Sequence, residues 1–176
     1  MKNNLKKAYF AGGCFWCVEA GFRTHHGVKE VFSGYMGGKT ENPTYEEVSE
    51  GNTGHKEVIE VHYNPDLISY SKLIDIFWTQ IDPTDSGGQF SDRGSQYQTA
   101  IFYQNKEEQG IAKNSKLSLE KTKKFNRAIA TKILPATTFW KAEEEHQNYA
   151  CKNPLRYQFY ESASGRKKFK EKVWRK

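Results

Sequence analysis

Cys14 follows two glycines, precedes two large aromatics and stands three residues before a second cysteine, in Gly12-Gly13-Cys14-Phe15-Trp16-Cys17. The thiolate is cysteine's nucleophilic form, so the first question is whether the chain would favour it here. An apolar run, residues 8–11, leads in, and an amphipathic run, residues 15–23, leads out. That pattern predicts a strand, a tight glycine turn and a helix with Cys14 at its start. A thiol at that point faces unpaired backbone N–H groups and the positive end of the helix dipole, and both favour the thiolate. Free cysteines more often simply pack as small hydrophobes. The paired glycines and the helix-start position argue for a reactive thiol instead. Phe15 and Trp16 beside it suit an apolar group on the substrate, not a phosphate or a sugar.

A thiolate needs an electrophile, and an oxygen leaving group needs an acid. Glu57 is the candidate acid: it begins a strand after a loop, where its neighbours could bury it and keep it protonated near neutral pH. Taken alone, it reads as an exposed strand-edge carboxylate. Tyr45 and Tyr97 could donate to a developing oxyanion, though each alone reads as a packing residue. Asp92 could orient one of them or pair with Arg93; the plainer reading is a loop cap. Cys14 and Cys17 have Cys-x-x-Cys spacing, but no second pair or close histidine pair completes a zinc set.

The elements that must hold these residues follow from periodicity. Strands are predicted over residues 5–10, 28–35, 55–63, 97–103 and 127–134, the last stopped by Pro135. In 55–63, Ile59, Val61 and Tyr63 fall on one face and Glu60 and His62 on the other, the alternation of a half-buried strand. Helices are predicted over 15–24, from Ser69 or Ser71 to Ile81, over 105–122 and, short and polar, over 141–150. Two long polar connections, 39–54 and 82–94, carry Tyr45 and Asp92. Connections of that length inside a small domain usually serve function. Mixed but not strictly alternating strands and helices predict one sheet with helices packed on it, of two-layer α/β or α+β type.

At 176 residues, with 36% hydrophobic and 14% aromatic content, the chain suits a single domain, 1–176, with a sizeable aromatic core. No window has the length of a membrane span, and the apolar run near the N-terminus is too short for a signal. Three cysteines, Cys14, Cys17 and Cys151, and no signal point to a reducing, cytoplasmic setting rather than a disulfide scaffold. The net charge of +6 gathers in a lysine-rich helix around Lys113–Lys124 and in the tail Arg166, Lys167, Lys168, Lys170, Lys172, Arg175 and Lys176. The tail also interleaves Phe169, Val173 and Trp174 at helical spacing. We expect faces that are solvated or docked on the body, not a nucleic-acid surface.

Six blocks then fall in register. They are Gly13-Cys14-Phe15-Trp16, Gly34-Tyr35-Met36-Gly37-Gly38, Asn42-Pro43-Thr44-Tyr45-Glu46-Glu47-Val48, Thr53-Gly54-His55-Lys56-Glu57, Asp82-Pro83-Thr84-Asp85 and Asp92-Arg93-Gly94-Ser95-Gln96-Tyr97. In this order they resemble the type A peptide methionine sulfoxide reductases, and His146-Gln147 through Asn153-Pro154 fits as well. The resemblance implies a two-layer α/β plait, a ferredoxin-like sandwich. It implies reduction of methionine S-sulfoxide, free or in proteins, as repair after oxidative damage. It makes Cys14 the nucleophile, Glu57 the acid, Tyr45 and Tyr97 the donors to the sulfoxide oxygen, Phe15 and Trp16 the methyl pocket and Asp92 a polar support. Attack leaves Cys14 as a sulfenic acid, which a second thiol condenses to a disulfide. By the same resemblance thioredoxin, or dithiothreitol in its place, resets the enzyme, with no bound cofactor and no metal.

The position of Cys17 is often glycine in the family. Residues i and i+3 at a helix start lie close enough to bridge, so Cys17 is preferred as the resolving thiol over Cys151, which follows a helix directly and has no glycine-rich surroundings. The expected partners are oxidised methionine-containing proteins, free methionine sulfoxide and thioredoxin, with no nucleic acid and no membrane, and the expected state is a monomer. A chain ending at Lys176 without a linker-like tail favours a stand-alone enzyme over a piece of a fusion. The competing reading is a thioredoxin-like dithiol–disulfide oxidoreductase using Cys14-x-x-Cys17, which leaves the aromatic-rich loops without a role.

Overall fold

The computed structural model describes residues 4–174; residues 1–3 of the basic N-terminus, and Arg175 and Lys176 of the basic tail, lie outside the described residues. In chain order come β1 (Lys6–Ala11), α1 (Phe15–Arg23), β2 (Val28–Met36), α2 (Tyr45–Ser49), β3 (Lys56–Tyr63) and α3 (Tyr70–Trp78). A two-stranded hairpin follows, β4 (Gly88–Gln89) and β5 (Asp92–Arg93), then β6 (Ala100–Tyr103) and α4 (Lys106–Lys121). β7 (Lys132–Pro135), β8 (Trp140–Lys141), α5 (Tyr149–Lys152), α6 (Pro154–Ala163) and α7 (Arg166–Val173) complete the described chain.

The main sheet has the order β7-β6-β1-β3-β2-β8. Its inner four strands, β6-β1-β3-β2, are all antiparallel, and β1-α1-β2-β3-α3-β6 is the strand–helix order of the expected plait. Side chains alternate across a strand, so one face takes Ala8 and Phe10, Val31 and Tyr35, Ile59 and Val61, and Ile101. Against them pack Val18 and Phe22 of α1 and Leu73, Ile74 and Phe77 of α3. Phe10 lies between Phe22 and Phe77, 5.2 Å from each ring centre. A fully buried phenylalanine contributes about 2–3 kcal/mol from area alone, so this triple fixes both helices on the sheet.

The same alternation places Glu57. It shares a face with Ile59, Val61 and Tyr63, and β3 lies between β1 and β2 rather than at an edge. The carboxylate is therefore buried under α1, where it pairs in register with Tyr35.

Local order departs from the sequence expectation in four places. The polar 39–54 connection contains α2, started by a capping box: Thr44 Oγ1 accepts from the Glu47 amide, and Glu47 Oε2 accepts from the Thr44 amide. The strand expected from residue 97 starts at Ala100, because residues 95–97 wind into a 3-10 turn after Gly94. β7 ends at Pro135, within a residue of the expected stop, but starts at Lys132 rather than at residue 127; the proline is tolerated as the last residue of an outermost strand. The expected polar helix over 141–150 is instead β8, a 3-10 turn (Glu144–His146) and the single-turn α5. The Gln147 side chain takes the place of a strand there. Its amide accepts from the Ser33 N–H at 2.9 Å and donates to Ser33 O and Ala142 O, satisfying β2's edge in the manner of a backbone.

The tail docks. Phe169 meets Phe90 edge to face, Trp174 packs on Phe125, and Arg166 is buried.

Candidate active site

Cys14 is the N-cap residue of α1. Gly13 precedes it at φ +80°, and a Cβ there would come within 2.6 Å of Gln89 Cβ, so the turn that aims the thiol needs glycine. The Cys14 carbonyl accepts from the Cys17 and Val18 amides, which closes the first helical turn. Cys14 and Cys17 are both buried, their thiols hydrogen-bonded to each other, whereas Cys151 is exposed on α5.

The helix end was expected to favour a thiolate at Cys14. Burial outweighs it: desolvation, with the Cys17 hydrogen bond and the carboxyls of Glu57 and Asp92 adding to it, holds the Cys14 thiol well above the ordinary range. Cys17 moves the other way, lowered by the hydrogen bond from Cys14 and by the Arg166 cation. The resting nucleophile is thus a thiol.

Glu57 Oε2 accepts a 2.9 Å hydrogen bond from the Phe15 amide, one of the donors that a helix start leaves unpaired. Burial nevertheless dominates. It pushes the carboxyl up to about 8, with Asp92 raising it further and the Phe15 amide and Arg166 opposing. Glu57 therefore carries a proton at neutral pH, in reach of the thiol's cavity.

That cavity holds about 110 Å3 and is lined by Cys14, Phe15, Trp16, Tyr45, Glu57, Asp92, Tyr97 and Tyr160. Every residue the sequence put forward for attack, acid, oxygen donation, methyl pocket or support is there. Tyr45 comes from α2, Tyr97 from the 3-10 turn and Asp92 from β5, so both long connections converge on it. Burial and the nearby Glu57 push the Tyr45 phenol up to about 12 and Tyr97 higher still, which keeps both as O–H donors. The thioredoxin-like alternative leaves these loops idle, and they are not. A larger cleft, about 420 Å3, lies beside Cys151. Both of its carboxylates are engaged, Glu19 with Arg23 at 2.7 Å and with the Asn148 amide, and Glu161 with Lys170 at 3.9 Å.

Several contributors were not singled out from sequence. Tyr160 of α6 reaches the cavity and donates to Asp92 Oδ2, so Asp92 holds Tyr160 rather than Arg93, which pairs with Asp85 instead. His146 stacks on Tyr45 at 4.3 Å, and its Nδ1 accepts from the Trp16 indole N–H at 3.3 Å. Tyr149 stacks on the same indole at 3.9 Å. Glu143 accepts from Tyr35 Oη and from the Tyr45 amide, both near 2.9 Å or shorter. All four come from residues 143–160, where the sequence lacks a clear period. Their legible signal was compositional: a cluster of aromatics with histidine and glutamate.

A sulfur nucleophile, a neutral buried acid, phenolic donors and an apolar wall are what reduction of a sulfoxide requires. Residues 6–176 match the family described as peptide methionine sulfoxide reductase. The chain belongs to that family. A relative from Halalkalibacterium halodurans, named peptide methionine sulfoxide reductase MsrA, is 51% identical over 176 residues, covering 100% of each chain. Among solved structures, reduced Mxr1 from Saccharomyces cerevisiae has a TM-score of 0.81 at 31% identity, covering 88% of both chains. Mxr1 in complex with Trx2 aligns with a TM-score of 0.60 at 24% identity, over 86% of this chain and 88% of that one. The chain is a type A enzyme, and the reduction of methionine sulfoxide to methionine is its reaction. Among the described residues no group of three histidine, cysteine or carboxylate side chains could hold a metal, and no helix is long and apolar enough to cross a membrane.

Proposed function

We propose that Cys14 attacks the sulfur of methionine S-sulfoxide while Glu57 protonates the departing oxygen. The observation that carries this is a buried acid, neutral at pH 7, lining the same small cavity as the thiol. The sulfoxide oxygen is a poor leaving group until protonated, so the two events are coupled. Tyr45 and Tyr97 donate to that oxygen as charge builds on it. Phe15 and the clamped Trp16 ring take the methyl group, and Asp92 fixes Tyr160 at the cavity wall. A bond forms between Cys14 Sγ and the substrate sulfur; the protonated oxygen passes to Cys14 Sγ as the substrate sulfur–oxygen bond and the new sulfur–sulfur bond break, methionine leaves as the thioether, and the thiol's proton replaces the one that Glu57 gave up.

Cys17 then attacks the sulfenic acid, a disulfide forms, and water leaves. Its hydrogen bond to Cys14 favours it over the exposed Cys151. An external dithiol protein of the thioredoxin type reduces the bridge; the pairing of yeast Mxr1 with Trx2 supports that class of reductant. The substrates are then oxidised proteins and free methionine sulfoxide, met by a monomer in the reducing cytoplasm. Residues 1–176 act as one unit, since α6 supplies Tyr160 to a cavity built by the first helix.

The test is turnover of N-blocked methionine S- and R-sulfoxide with dithiothreitol. Wild type should consume the S epimer alone, and Cys14→Ser should be inactive. Turnover by Cys14→Ser at the wild-type rate refutes the assignment.

A further inference from the structure

Arg166, on α7, is 2% exposed and heads the fully buried side chains among the described residues by size. Buried arginines are ordinarily paired with a carboxylate. This one is not: its Nη1 donates to Gln80 O at 2.6 Å and its Nη2 to Gly12 O at 3.0 Å, and none of the ion pairs among the described residues includes it. The guanidinium lies over the Phe90 ring, 4.8 Å from its centre. It also abuts the nucleophile's turn, since a Cβ on Gly13 would sit 2.9 Å from Nη2. Lys170, one turn further on, holds α7 in place by donating to Gln80 Oε1 at 2.9 Å. A buried cation with no anion is costly, so its position calls for an anion that appears there.

We propose that Arg166 is a positioning residue for the nucleophile: it fixes the Gly12–Cys14 turn and supplies the positive charge that offsets the thiolate formed at attack. The groups facing the thiol pair are otherwise neutral or acidic. They are Glu57 on β3, Asp92 on β5, Glu161 with Tyr157 and Tyr160 on α6, Tyr45 on α2 and Tyr97 on the 3-10 turn. Each of the carboxyls, when charged, opposes ionisation of a thiol. Arg166 works against them, pulling both the Cys17 thiol and the Glu57 carboxyl downward. The C-terminal helix thus contributes electrostatics to a reaction whose bond-making residues all lie elsewhere. This inference rests on Cys14 being the nucleophile.

The test reads the thiol directly. Iodoacetamide alkylation of Cys14, resolved by mass spectrometry, is followed across neutral to alkaline pH in wild type, Arg166→Lys, Arg166→Gln, Arg166→Met and Phe90→Glu. The last variant sets a carboxylate against the guanidinium and leaves its bonds to the two carbonyls in place. Folding is checked by circular dichroism. Both neutral variants and Phe90→Glu should shift the profile to higher pH by about one unit, a roughly tenfold loss of thiolate at pH 7, while Arg166→Lys shifts it much less. A folded neutral variant or Phe90→Glu with the wild-type profile overturns the proposal, as does an Arg166→Lys shift equal to that of Arg166→Gln. If neither neutral variant folds, Phe90→Glu decides. Alkylation needs no turnover, so a failure here is distinct from a failure of Cys14→Ser to lose activity.

Discussion

Replacing Glu57 with glutamine removes the transferable proton and keeps an oxygen for the Phe15 amide. With its carboxyl pushed from an ordinary 4.5 to about 8, roughly nine in ten Glu57 side chains carry the proton at pH 7. At the ordinary value only about one in three hundred would. The chemical step should therefore slow by about 10²–10⁴ in Glu57→Gln, the range for a lost general acid. The same substitution should strengthen the fold. A carboxyl raised in the folded state leaves stability whole below pH 4.5 and erodes it as pH rises toward 8, because the folded protein resists losing a proton that the unfolded chain gives up. Between pH 5 and 7 that erosion is on the order of 2–3 kcal/mol, and glutamine escapes it. The assays are single-turnover reduction of a blocked S-sulfoxide and urea denaturation, both as a function of pH. Wild-type activity should fall above pH 8 as Glu57 ionises. A Glu57→Gln enzyme within threefold of wild type would falsify the acid role. A variant equally destabilised at pH 5 and 7 would refute the buried neutral carboxyl.

The remaining expectations concern other parts of the site. One equivalent of sulfoxide should leave a Cys14–Cys17 disulfide in Cys151→Ser at the wild-type rate, mapped by mass spectrometry; its absence assigns resolution to Cys151. Tyr97→Phe and Tyr45→Phe should each lower kcat about tenfold with little change in KM, since they donate to charge that builds only during reaction. Trp16→Leu should raise KM for blocked substrate and leave the Cys14 alkylation rate within about twofold; an unchanged KM removes Trp16 from the methyl pocket. Thr44→Ala breaks the capping box of α2 and should cost about 1 kcal/mol in a urea melt.

Much of the fold was written in local pattern. The 3.6-residue spacing of Leu73, Ile74 and Phe77, and the alternation of Ile59, Val61 and Tyr63, give helix and strand without reference to the rest of the chain. The Thr44-x-x-Glu47 signature of α2 was equally local and was passed over because the surrounding 39–54 stretch is polar. Likewise, extending the period-2 pattern of β3 back by one step puts Glu57 on the buried face. The third strand's central place in the sheet, which no local pattern carries, then turns that position into an interior one.

The sequence by itself determined which atoms could react: a thiol after a glycine turn, an acid, two phenols and an aromatic wall, in six ordered blocks. It did not determine their protonation, because desolvation depends on what covers a side chain, and what covers Glu57 and Cys14 comes from distant segments. Nor did it reveal the roles of Tyr160, His146 and Arg166, each more than 100 residues from Cys14 along the chain. Only tertiary packing brings the tyrosine of α6 to Asp92, the histidine of the Glu144–His146 turn to Trp16 and the lone buried cation of α7 to the turn that presents the nucleophile. Chemical identity travels with the chain; the electrostatic state of the site exists only once the chain has closed around it.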